Sequence, residues 1–73
     1  MSDKEYFEAC VQCVEWINCV HAEKRKPLLA IRKSYGKYSL VRMDNNEKIA
    51  ETEFLDKFFQ KVSGIASYVQ EFV

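Results

Sequence analysis

The 73-residue sequence predicts one α+β domain in the order helix, antiparallel β-hairpin or three-stranded meander, helix (αβββα), with both helices on one sheet face. Three observations carry that expectation. Apolar residues recur with helical spacing at each end of the chain. Between them lies LLAIRKSYGKYSLVRM, rich in strand formers and split by Gly36. Nothing in the sequence reads as a linker, a repeat or a low-complexity run, and the length suits a single domain.

The first helix is expected from a capping box at Ser2–Glu5, with Met1 and Tyr6 at staple positions. Tyr6, Ala9, Cys10, Cys13, Val14, Ile17 and Val20 share its apolar face. Glu8, Gln12, Glu15, Asn18 and Cys19 are expected opposite. The helix should run to about Lys24, where Lys24, Arg25 and Lys26 complement its negative end and Pro27 stops it. Strands are expected at 28–33 and 38–43, joined at Tyr35-Gly36, where glycine tolerates positive φ. Asp44 to Glu47 reads as a second turn, and EKIAE as a short third strand. Thr52 is the expected cap of the last helix, whose start is favoured by Glu51, Glu53 and Asp56. Phe54, Leu55, Phe58, Val62, Ile65, Ala66, Val69, Phe72 and Val73 share its apolar face, and Gly64 marks a candidate kink.

All three cysteines and the only histidine fall in CVQCVEWINCVH, residues 10–21. On a helix, Cys10 and Cys13 share a face, but Cys19 lies about 9 Å further along the axis and points away. His21 sits about 16 Å beyond Cys10. One tetrahedral metal cannot reach all four, and no later Cys or His offers a second ligand pair. Redox Cys-x-x-Cys pairs open a helix after a strand; this pair lies mid-helix on the apolar side. The cysteines are therefore expected as free thiols, Cys10 and Cys13 as buried apolar filler and Cys19 exposed. His21 reads as a boundary residue. No phosphate loop, nucleophile elbow or HExxH is present, so neither a cofactor, a metal nor an enzymatic activity is expected.

Formal net charge is zero, but the charges are segregated. Residues 1–23 carry Lys4 against Asp3, Glu5, Glu8, Glu15 and Glu23. Residues 24–43 carry Lys24, Arg25, Lys26, Arg32, Lys33, Lys37 and Arg42 and no acid. Residues 44–73 are again acidic on balance. No apolar run is long enough to span a bilayer, the N-terminus does not read as a signal peptide, and the odd, crowded cysteines suit a reducing compartment. The expectation is a cytoplasmic protein, of its own cell or a host's, with no membrane contact.

With Tyr35-Gly36 as the turn, Leu29, Ile31, Tyr38 and Leu40 share one sheet face, and Leu28, Ala30, Val41 and Met43 the other. The helices cover one face, so the second is expected to be an exposed apolar patch and hence a partner surface. The functional expectation is a small non-enzymatic protein-interaction module, a regulator or inhibitor working by surface occlusion, with a protein partner and self-association into a homodimer. By size and build alone it resembles phage-encoded host-takeover and anti-defence proteins. The alternative is nucleic-acid binding by a basic hairpin. The candidate binding residues for either are Lys24, Arg25, Lys26, Arg32, Lys33, Tyr35, Lys37, Tyr38 and Arg42. The element order also resembles that of double-stranded-RNA-binding domains. Those domains carry a basic cluster at the start of the last helix, where this chain has the acidic Thr52-Glu53-Phe54-Leu55-Asp56. The resemblance is one of order alone, and order does not give function.

Overall fold

The computed structural model describes the backbone of residues 2–71 and the side chains of residues 2–69. Met1, Phe72 and Val73, assigned above to a staple and to a helix face, lie outside the described residues. The order is α1 (Asp3–Glu23), β1 (Leu29–Ser34), β2 (Lys37–Arg42), β3 (Lys48–Thr52) and α2 (Leu55–Glu71). The strands form one antiparallel sheet in the order β1-β2-β3, and both helices pack on its Leu29–Leu40 face.

Helix α1 starts as its sequence requires. The Ser2 Oγ accepts the Glu5 amide at 3.3 Å and donates to the Glu5 carboxylate at 3.2 Å. Cys10, Val14, Ile17 and Val20 are buried along one stripe. At the other end Lys26 N–H bonds the His21 carbonyl and Arg25 N–H the Ala22 carbonyl, the two bonds of a Schellman stop. Arg25 holds the left-handed position at φ 58°, which glycine usually fills.

Tyr35 at φ 52° and Gly36 at φ 74° form the two-residue turn of the hairpin, matching its right-handed twist. The register pairs Ile31 with Leu40 and Leu29 with Arg42. Alternation then sends the Leu29 N–H and C=O away from β2, to the outer edge of the sheet. Asn18 meets both there: its amide donates to the Leu29 carbonyl at 2.9 Å and its carbonyl accepts the Leu29 N–H at 2.8 Å. Asn18 therefore does not belong to the solvent face of α1, as its place on the wheel suggested. It holds the helix to the sheet edge and satisfies backbone groups that burial would otherwise leave unpaired.

The β2–β3 pairing runs Leu40 to Ala50 but Val41 to Lys48, so Ile49 is an extra residue in a β-bulge. The last helix begins later than its capping signal implied. Thr52 Oγ1 accepts the Phe54 amide at 3.3 Å, a turn of side chain on backbone ahead of the helix. The first helical bond runs from the Phe58 amide to the Phe54 carbonyl, placing Phe54 rather than Thr52 at the cap position. The helix is continuous through Gly64.

The core joins Cys10, Val14 and Ile17 of α1, Leu29 and Leu40 of the sheet, and Leu55, Phe58 and Val62 of α2. Phe58, Ile17, Leu40 and Val62 are among its fully buried side chains. Burial of each such group stabilises the fold by about 1.5–3 kcal/mol. Rings close the end nearer the hairpin turn: Tyr38 lies 5.9 Å from Phe58 and Tyr6 lies 5.7 Å from Phe59. No helix among the described residues is long and apolar enough to cross a membrane.

Candidate functional site

The cysteine segment is part of the fold. Cys10 is fully buried, Cys13 half-buried and Cys19 exposed, and all three are free. Burial, with a smaller contribution from Cys13, pushes the Cys10 thiol up to about 11. Burial raises Cys13 too. His21 lies 2.9 Å from the Pro27 carbonyl through Nδ1. A carbonyl can only accept, so Nδ1 carries the proton and the ring fixes the turn after α1. Among the described residues, no three His, Cys, Asp or Glu side chains gather where they could hold a metal ion.

The basic candidates fall in several places rather than on one surface. Lys24, Arg25 and Lys26 cluster at the end of α1. Arg32 and Lys37 lie on the open sheet face, opposite the helices. Arg32 donates to Asn46 at 2.8 Å, and Lys37 lies 4.0 Å from Glu51. Lys33 and Arg42 are on the helix side, at opposite ends of the hairpin. The Lys33 ammonium sits 5.3 Å from the centre of the Tyr38 ring. Arg42 forks onto Asp44 at 2.8 and 3.2 Å and lies 3.6 Å from Glu47. Tyr38 packs at the rim of the core, half-buried against Phe58. Tyr35 stands fully exposed at the turn, and Arg25 and Lys26 are exposed at the end of α1.

The expected apolar patch on the open sheet face is met in part: Leu28 and Met43, paired at the far end of the hairpin, are 39% and 60% exposed, Ala30 is half-buried, and Val41 is buried. Val41 lies there in a surface shared with Asn46, Arg32 and Lys48, and the long aliphatic stems of Arg32 and Lys48 cover apolar surface while their heads stay wet. Glu51 binds this surface together. It accepts from Ser39 at 3.1 Å and lies 2.7 Å from the Lys48 ammonium. Those two bonds, Lys48 foremost, hold its carboxyl below the usual range. Val41 departs from the expectation because β3 brings Lys48 and Glu51 beside it.

A second exposed apolar surface lies between β3 and α2. A shallow, open groove of about 490 Å³ is lined by Ile49, Ala50, Gln60, Lys61, Gly64, Ile65 and Tyr68. Ile49 and Ile65 also line an adjoining depression of about 320 Å³ with His21, Lys26, Pro27, Leu29 and Arg42. The bulge leaves Ile49 44% exposed, and Tyr68 is 63% exposed. Gly64 keeps the helix wall low, for a Cβ placed there would meet no atom within 4 Å. The hairpin-centred reading missed these residues. Their signal in the sequence is the adjacent pair Ile49-Ala50, which breaks strand alternation, and a glycine inside a helix.

No protein-family model matches the chain, and no curated protein or solved structure matches it.

Proposed function

We propose that the chain is a non-enzymatic protein-interaction module that acts by surface occlusion, and that it engages protein through the β3–α2 groove. The observation that supports this is Ile49. A bulge at a sheet edge turns it toward solvent beside Ile65 and Tyr68, so apolar groups from two elements line one shallow surface. Contiguous exposed apolar surfaces with a sparse polar rim are where partners gain most from excluding water. The groove offers no cluster of titratable groups suited to acid–base or nucleophilic work.

Nucleic-acid binding through the hairpin is the weaker proposal. Arg42 already faces two carboxylates, and Lys37 and Lys48 share Glu51. The open sheet face presents no aromatic ring on its strands for bases to stack on, only Tyr35 at the turn.

A photo-crosslinking residue installed at Ile49, in the cell that makes the protein, tests the proposal. A discrete protein adduct is expected from position 49 and not from Ser34 on the open sheet face. Equal capture at both positions, or none at 49, refutes the groove reading. Salt-dependent binding of DNA or RNA that survives Ile49→Asp favours the alternative.

A further inference from the structure

Resting on the groove as the docking surface, we propose that its occupant is the outer face of α1 from a second copy of this chain. The outer face of α1 presents Glu8, Gln12, Glu15 and Cys19, all exposed, at three- and four-residue spacing. Trp16 borders this stripe and is 43% exposed. Among the described residues, the carboxylates of Glu8 and Glu15 have no hydrogen bond or ion pair. The groove has the opposite character: Ile49, Ile65 and Tyr68 form its apolar part, and Lys61 and Lys26 stand on its rim. An aromatic anchor flanked by carboxylates complements an apolar floor flanked by ammonium groups.

The same chain cannot satisfy both surfaces internally. Helix α1 packs against β1 and α2, while the groove lies on the far side of α2, against β3. The match is therefore available only between molecules. Formal net charge is zero, so no long-range repulsion keeps copies apart while the segregated charges steer them together. No disulfide supports this small core, and a second subunit is a common support for chains of this size.

Sedimentation velocity across micromolar to submillimolar concentrations, at low and high salt, tests the proposal. Self-association that weakens as salt rises is expected. Ile49→Asp or Trp16→Ala should weaken it about tenfold or more, the loss of one interface anchor. Lys61→Glu and Glu15→Lys should each weaken it alone, and mixing the two variants should restore association between them. This charge-swapped pair needs no apolar substitution and keeps the test valid if Ile49→Asp disturbs folding. A monomer at every concentration, or association indifferent to salt and to all four substitutions, overturns the proposal. If the chain is monomeric while position 49 still crosslinks to a different protein, this inference fails and the docking reading stands. If neither occurs, both fail.

Discussion

Replacing Asn18 with Ala removes two hydrogen bonds at once and strips β1 of its edge partner. Both bonds are short, at 2.8 and 2.9 Å, and both end on the backbone of Leu29, a buried residue. A typical bond contributes about 0.5–1.5 kcal/mol net, and a buried group left unpaired costs about 1–3 kcal/mol. Water can reach part of this edge once the amide is gone, so a total near 2 kcal/mol is expected. For a domain of this size that lowers the melting temperature by roughly 8–16 °C. Urea denaturation gives the free energy, and amide exchange at Leu29 gives the location. Gln12→Ala, on the exposed face of the same helix, is the control and should stay within about 0.5 kcal/mol of the parent. Asn18→Asp separates the two bonds. Its carboxylate still accepts the Leu29 N–H but faces the Leu29 carbonyl with no proton to donate, so it is at least as unstable as Asn18→Ala at neutral pH. Acidification toward the ordinary carboxyl range near ~3.9 supplies that proton and narrows the deficit relative to Asn18→Ala. An Asn18→Ala variant as stable as Gln12→Ala, with Leu29 exchange unchanged, would refute the reasoning.

Other perturbations follow from the same structure. Phe58→Ala empties the centre of a core that is small to begin with, at a cost of about 3–5 kcal/mol; near-ultraviolet circular dichroism and dispersed amide signals should be lost. Tyr35 occupies a left-handed position with its side chain in water, so Tyr35→Asn should raise stability by about 0.5–1 kcal/mol in urea titrations; a loss would mean that the ring has an intramolecular role. Cys10 gives a pH dependence of defined sign. Its thiol ionises near 11 in the fold against an ordinary 9.0, so both states are protonated below 9.0 and stability is whole there. The unfolded chain ionises first as pH rises, and stability declines between about 9 and 11. Cys10→Ala should show a shallower decline over that range; an unchanged slope would place the effect elsewhere.

The parts of the fold that were legible in the sequence are those fixed by local chemistry. Cys10, Val14 and Ile17 repeat at helical spacing, and Tyr35-Gly36 sits where only a tight turn lets β1 and β2 pair. With the turn placed, the pairing of Ile31 with Leu40 followed. What was not legible depends on where elements meet. Asn18 looks solvent-facing on a wheel because the wheel contains no sheet edge. Val41 looks exposed until Lys48 and Arg32 stand beside it. Thr52 is a good cap by type, yet its hydroxyl is used at Phe54 before the helix begins. The nine basic and aromatic candidates are close in sequence, but strand alternation sends Arg32 and Lys33 to opposite faces. The groove depends on a one-residue bulge, and a bulge without glycine leaves only the broken alternation at Ile49-Ala50 to announce it.

The chain has four isoleucines, and the fold distributes them usefully: Ile17 is in the core, Ile31 is on β1, and Ile49 and Ile65 line the groove. Methyl spectra of isoleucine-labelled protein, recorded at low salt from dilute to concentrated solution, therefore report where the chain meets protein. The Ile49 and Ile65 methyl signals are expected to move with concentration while Ile17 and Ile31 hold their positions. Movement at Ile31 with Ile49 and Ile65 still would contradict the groove as docking surface, and four signals that never move would contradict the pairing of copies.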